Sequence, residues 1–297
     1  MELAISGEGL GSVRTLEEIL KIIKGNGVYA IEIWPENIPV EEGKELVHKR
    51  LYANRDVRKA KKILDDAGVK VACVCFGAGF AKELASDRNL FASELARAVC
   101  VAYELGTKVV NHYCYHVALG DEWTEEYLRG YYGQAIKEAE KYGVYLALEN
   151  EAHDITKNPL QMKKIVKAMD SPYFKTNYDA TNYYQAGYEG FPYSYEVLKD
   201  EIVHVHIKNG CIYHPEHGHA QEYRGEHMTG CFAGERIYYP IASDGAINID
   251  GLIRRLKKDG YQGYCSLEPH TIPELCVEYY RAETEYLYQR GFANNLE

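Results

Sequence analysis

The chain has no CxxC pair, no long uninterrupted apolar run and a shortage of basic side chains, and each of these gaps excludes something. A membrane-spanning helix needs roughly 18 or more consecutive apolar residues, which no stretch approaches. The segment Met1 to Ser6 also lacks the basic start and long apolar core of a secretory leader, so a cytoplasmic location is expected. Eight cysteines stand at 73, 75, 100, 114, 211, 231, 265 and 276, several of them inside apolar runs. Without CxxC spacing they are expected as reduced, mostly buried thiols rather than a zinc or disulfide framework. Lysine and arginine number 34 against 44 aspartates and glutamates, a formal net charge of -10. This argues against a phosphate-backbone binder and favours a neutral or metal-chelating small substrate, with neither nucleic acid nor membrane as partner.

What is present describes a self-folding globular protein. The 297 residues are 46% hydrophobic and 26% charged, far from the disordered range. The 27 tyrosines are read first as packing and rim residues, ahead of a sugar-stacking role. Short β-rich runs alternate with amphipathic segments from end to end, the sign of a parallel sheet with crossover helices. Eight strands are expected, at Glu2 to Ser6, Val28 to Trp34, Lys70 to Cys75, Lys108 to His112, Val144 to Glu149, Phe174 to Asp179, Ile202 to Ile207 and Tyr264 to Glu268. Helical patterns cover Thr15 to Lys24, Arg55 to Ala67, Asn89 to Leu105, Trp123 to Tyr142 and Leu160 to Ala168. Eight β/α units in one chain of this length predict a single (β/α)₈ barrel domain spanning 1–297.

The boundary signals agree: Thr15-Leu16-Glu17-Glu18 reads as a capping box, and Gly68 follows Asp65-Asp66 where a helix should stop. A doubly wound sheet is the rival, but Gly7-Glu8-Gly9-Leu10-Gly11-Ser12 has serine where the phosphate-binding fingerprint needs its third glycine. That segment is read as a flexible barrel loop, with no helix before Thr15. From Asn209 to Asn248 the chain runs without a convincing helix, far beyond a usual loop, and is expected to cover the barrel mouth or contact another subunit.

Three expected strands end in a carboxylate: Glu149, Asp179 and Glu268. Alternation puts each acid on the inward face, with Ala147, Asn177 or Ser266 behind it and Leu148, Tyr178 or Leu267 toward the helices. Three carboxylates converging at one barrel end repel one another, and a cation is the natural way to hold them. The seventh strand supplies an imidazole. His204 and His206 share a face, and His206 lies nearer the acids, so it is taken as the fourth ligand and His204 as structural. Three oxygen ligands and one imidazole suit Mn²⁺ first, then Mg²⁺, with Co²⁺ or Zn²⁺ able to substitute. Trp34, His112, His116, Asn182, Lys208 and His270 stand near the expected mouth as candidate substrate contacts. His214, His217, His219 and His227 are numerous enough for a second metal, but no regular element fixes their spacing.

The order of several short motifs resembles the xylose isomerase-like barrel superfamily, which includes sugar isomerases and epimerases, inosose dehydratases and endonuclease IV. These motifs are Ile31-Glu32-Ile33-Trp34-Pro35, Leu148-Glu149-Asn150, Asp179-Ala180-Thr181-Asn182, His204-Val205-His206-Ile207-Lys208 and Ser266-Leu267-Glu268-Pro269-His270. The resemblance implies that Glu149, Asp179, His206 and Glu268 hold one divalent metal, and that Glu149 and Glu268 move a proton on the carbon beside a carbonyl. Asn182 and Ile212 depart from the ketose 3-epimerase pattern, and the Asp-x-x-Asn form looks more like the inosose dehydratase side.

The expected function is a metal-dependent isomerase or epimerase of a keto-sugar or related polyol. The alternative is a lyase using the same metal and glutamates, a dehydratase or a 3-oxo-C-glycoside deglycosidase subunit. An endonuclease IV-like repair enzyme is disfavoured by the charge and by Phe76 and Asn182 where further histidines would be needed. A homo-oligomer is expected, with a small accessory subunit if the protein is a C-glycoside deglycosidase.

Overall fold

The computed structural model describes residues 1–118, 120–217 and 235–294. Eight parallel strands close into a barrel: β1 (Glu2–Ser6), β2 (Ala30–Ile33), β3 (Lys70–Cys75), β4 (Val109–His112), β5 (Tyr145–Glu149), β6 (Phe174–Asp179), β7 (Ile202–Ile207) and β8 (Tyr264–Leu267). Each pairs with its sequence neighbours, and β1 pairs with β8 to close the ring. All eight expected strands are present. Both faces of these strands are largely buried, one against the helices and one inside the barrel, as parallel strands require.

The intervening helices follow from local chemistry. In the helix Leu16–Gly25, Leu16, Ile19, Leu20 and Ile23 fall on one face and are buried against the barrel. Its start is the expected capping box: the Thr15 hydroxyl accepts from the Glu18 amide at 3.3 Å, and the Thr15 amide donates to Glu18 Oε2 at 2.9 Å. The helix Val57–Ala67 ends at Gly68, whose φ of 67° is the left-handed turn that lets the chain reverse into β3. The helices Arg88–Leu105, Glu125–Tyr142 and Pro159–Ala168 lie where the apolar periodicity placed them.

Two expectations change. The glycine-containing segment after β1 is not a flexible loop, because Glu8–Gly11 forms a short helix before Thr15. It packs against the C-terminal helix Pro273–Tyr288 so closely that a Cβ on Gly9 would lie 2.6 Å from Cys276 Sγ. The excursion after β7 also has regular structure at its two ends, where Cys211–Ile212 and Ile237–Tyr238 form a two-residue antiparallel ladder. Asn209 ties off its base, donating from Nδ2 to the carbonyls of Ala242 and Ile247 and accepting from the Ile247 amide. The middle of the excursion, with His219 and His227, lies outside the described residues. Among the described residues no helix is long and apolar enough to cross a membrane, and the seven described cysteines are free.

Candidate metal centre

The carboxyl ends of β5 to β8 bring four side chains together. Ligand atoms of Glu149, Asp179, His206 and Glu268 all lie within 4.8 Å of one another, and all four residues are buried. Strand alternation delivers them as the sequence implies: Leu148 and Tyr178 pack outward while Glu149 and Asp179 point into the barrel. Glu268 follows directly on β8, its amide donating to the Ile207 carbonyl at 3.1 Å. Asn150 stitches β5 to β6 beyond the last ladder bond, donating to the Asp179 carbonyl and accepting from the Asp179 amide at 2.8 and 2.9 Å.

The spacing could accommodate a metal ion. His206 Nδ1 lies 3.0 Å from Glu149 Oε1, 3.2 Å from Glu268 Oε2 and 4.0 Å from Asp179 Oδ2. Metal–ligand bonds of about 2.1 Å in octahedral geometry put adjacent ligand atoms about 3 Å apart and opposite ones about 4 Å apart. Asp179 divides its two oxygens accordingly. Oδ1 caps the helix Ala180–Gln185 by accepting from the amides of Thr181 and Asn182, whereas buried Oδ2 has no hydrogen bond of ordinary geometry. Its near neighbour is the ammonium of Lys208, 2.8 Å away.

Lys208 is the cation that the sequence analysis placed only as a substrate contact. It is buried, 2.7 Å from Glu268 Oε2 and 2.9 Å from His270 Nε2. Burial alone would lower its pKa, but the charges of Asp179, Glu268 and Glu149 hold it well above the usual lysine range. The two glutamates are thereby made unequal. Burial, helped by the Glu268 charge, raises the pKa of Glu149 despite His206. Burial would raise Glu268 too, yet His206 and Lys208 hold it well below the usual carboxylate range. Glu149 also accepts from Asn111 Nδ2 at 2.6 Å and from Asn182 Nδ2 at 3.3 Å.

The expected substrate contacts divide. Trp34, Asn182, Lys208 and His270 line one cavity above the carboxylates, together with Tyr113, Glu151 and other residues. Trp34 is held there by its indole N–H, which donates to Ser6 Oγ at 2.8 Å. From the returning arm of the excursion, the Tyr239 ring sits 4.9 Å from that of His270. His112 is a correction. Its neighbour Asn111 takes the inward position, so His112 points outward against Tyr132 and Phe174, where burial pushes its pKa down to about 3. His116 is likewise outside the site, stacked on Tyr131 at 3.7 Å. His214 and His217 are neighbours, the His214 amide donating to His217 Nδ1, but they join no metal-binding group among the described residues.

Sequence reasoning assigned no role to Glu32, Asn111 or Asn177. Glu32 is wholly buried beneath the centre, with Oε2 2.9 Å from His206 Nε2 and 3.1 Å from His204 Nε2. Burial opposes its ionisation, but the two imidazoles lower its pKa to about 2. Its signal in the sequence is a single charge in the apolar strand Ala30-Ile31-Glu32-Ile33. His204 itself lies deeper than the four candidate ligands, 2.9 Å from Ser266 Oγ.

A closed parallel barrel with buried carboxylates and an imidazole at its carboxyl end defines a class of barrels with a candidate metal site. Within it, the chain belongs to the xylose isomerase-like TIM barrel family, whose model matches residues 17–290. Solved structures of similar fold include a probable 3-DHS dehydratase, AsbF, from Bacillus anthracis, with 17% identity, a TM-score of 0.68 and coverage of 97% of this chain and 99% of that one. The IolI protein with a bound zinc atom has 16% identity, a TM-score of 0.67 and coverage of 99% and 100%. The 3-keto-D-glucoside 4-epimerase YcjR from E. coli has 16% identity, a TM-score of 0.65 and coverage of 97% and 99%. No curated protein matches the chain in sequence.

Proposed function

We propose that the protein is a divalent-metal-dependent isomerase or epimerase of a keto-sugar or related polyol, working by proton transfer on the carbon beside a carbonyl. The observation that carries this reading is the convergence of Glu149, Asp179, His206 and Glu268 on one buried point beneath a cavity lined by hydrogen-bonding groups. Those four residues hold the ion, and Mn²⁺ fits three carboxylates and one imidazole best. When bound, the ion supplies Lewis-acid stabilisation of negative charge developing on the substrate oxygen.

The rest is the work of this chain's own groups. Glu149 is the carboxylate assigned to taking the carbon-bound proton, because Glu268 is tied to the Lys208 ammonium. Glu268, paired with Lys208, stays ionised, and the Lys208 ammonium beside it is placed to steady an anionic oxygen. Trp34 and Tyr113 give the cavity flat apolar faces of the kind that pack against a sugar ring.

A lyase is the second reading, favoured by two features. Asn182 stands over Glu149 as a neutral amide that donates a hydrogen bond without exchanging protons with the substrate. The contact of Lys208 with His270 also gives a proton donor for a departing group. AsbF is described as a probable dehydratase and YcjR as an epimerase, so relatives of this fold carry both outcomes in their names. If the reaction is C-glycoside cleavage, a small accessory chain joins the assembly and the protein alone is inactive. Incubation of metal-loaded protein with keto-sugars and inososes in deuterated water, followed by NMR, decides the matter. Exchange at the α-carbon with an epimeric product supports the first reading, and exchange with loss of water or an aglycone supports the second. Absence of exchange on every such substrate, with one bound ion per chain, would overturn both.

A further inference from the structure

The carboxylate of Glu32 lies against the Nε2 edge of His206, opposite the Nδ1 edge that meets Glu149 and Glu268. One of its oxygens, Oε2, is 2.9 Å from His206 Nε2 and 3.1 Å from His204 Nε2. An ionised carboxylate only accepts hydrogen bonds, so each of those nitrogens carries a proton. Asn177 approaches the same nitrogen from the other side and is compatible with this once its amide is turned over. Its Nδ2 lies 3.1 Å from His206 Nε2, while its buried Oδ1 has no partner. Amide oxygen and nitrogen are interchangeable in placement, and with the amide turned over Oδ1 faces the Nε2 proton. With Nε2 so engaged, Nδ1 is the nitrogen directed at Glu149 and Glu268.

We infer that Glu32 is a positioning residue for the metal centre, holding the proton of His206 on Nε2 so that Nδ1 presents its lone pair to the ion. The inference rests on the metal-dependent reading above. It follows from the general behaviour of ligating histidines, whose second nitrogen usually donates to a carboxylate that fixes the tautomer and raises ligand basicity. Here the carboxylate comes from β2, across the barrel, and its hold extends to His204. The histidine that binds no metal therefore shares the anion that orients the one that does. The chain reaches this arrangement through a register shift between Ile31 and Glu32 in the pairing of β2 with β3, an irregularity of the kind that re-aims a side chain.

The test combines metal titration with histidine NMR on the full-length protein, using Zn²⁺ or Mg²⁺ so that signals are not broadened. In the ¹⁵N spectrum of the loaded parent, His206 should show a protonated Nε2 and a ligating Nδ1; a ligating Nε2 would overturn the inference without any mutation. Glu32→Gln and Glu32→Met should weaken ion binding by about 10- to 100-fold. In the loaded variants they should also move the His206 signals away from a fully protonated Nε2 with a ligating Nδ1, which loss of packing alone would not produce. If the parent binds no ion, the metal-dependent reading itself fails. If the parent binds one ion and Glu32→Gln binds it as tightly with an unchanged tautomer, the positioning role alone is wrong. Should the parent bind two ions and the Glu32 variants one, Glu32, His204 and His206 form a second metal site and the positioning role is overturned.

Discussion

The carboxyl of Glu283 is the clearest case of a buried acid that the proposed chemistry does not use, and its replacement by glutamine gives a prediction with a definite size. It lies wholly buried on the C-terminal helix Pro273–Tyr288, and neither of its oxygens has a hydrogen bond of ordinary geometry. Burial pushes its pKa from 4.5 up to about 8, with only partial relief from the backbone amide of Ala242 on the returning arm of the excursion. The folded protein therefore keeps this proton up to about pH 8, whereas the unfolded chain releases it near pH 4.5. The stabilising contribution is complete below pH 4.5 and declines as pH rises, until it is gone above about pH 8. At 1.36 kcal/mol per pH unit, the decline between pH 5 and pH 7 amounts to about 3 kcal/mol from this one residue. Glutamine cannot ionise and escapes it. Urea denaturation of parent and Glu283→Gln at several pH values between 5 and 8 should show the variant gaining relative to the parent by about 3 kcal/mol across those two units. Parallel stability curves for the two proteins would refute the reasoning, because every other titrating group cancels in the difference.

The remaining predictions concern the centre. His206→Ala should strip metal from the purified protein far more completely than His204→Ala, as read by elemental analysis; equal loss from two folded variants would place the ligand elsewhere. Glu149→Gln and Glu268→Gln each keep an oxygen at the site but remove a carboxylate, the proposed base in one case and the partner of Lys208 in the other, and turnover should fall by roughly 10²-fold or more in each. Solvent exchange of the substrate α-proton, lost in one variant and kept in the other, identifies the base, for which Glu149 is the expectation. Burial lowers the pKa of His206, but the charges of Glu268, Glu32 and Glu149 raise it well above 6.5. The metal-free protein therefore holds a proton there at neutral pH that a bound ion must displace. Calorimetry in buffers of different ionisation enthalpy should show proton release on metal binding, with affinity weakening as pH falls; uptake of protons, or no pH dependence, would contradict it.

What the sequence made legible was parity within a strand. Tyr145-Leu146-Ala147-Leu148-Glu149 carries its own instruction, because the alternation of small or polar with large apolar residues says which side faces the barrel. Each metal-ligand candidate could be placed from its own strand and the loop after it. His112 failed on the same rule. Asn111 pairs with Ala147 and His112 with Leu148, so the inward face of β5 fixes Asn111 as the inward residue of β4. That register is a relation between strands, and nothing in Lys108 to His112 expresses it.

The second ring of the site was illegible for a stronger version of this reason. Glu32 and Asn177 both approach His206 Nε2, and each stands where regular pairing breaks: β2 shifts against β3 between Ile31 and Glu32, and β6 against β7 between Thr176 and Asn177. A one-residue slip exchanges the two faces of a strand, so beyond such a shift the neighbour's alternation no longer says which residues share a layer. The candidate ligands sit at strand ends, where parity and the count of residues suffice. The groups that orient them sit at the irregularities, and their partners lie far off in sequence, Glu32 and His206 being 174 residues apart. A lone acid inside an apolar strand marks that such a partner must exist, since an isolated carboxylate would not stay buried and ionised. Which partner it is depends on how the barrel closes, and the closure is a property of all eight strands together.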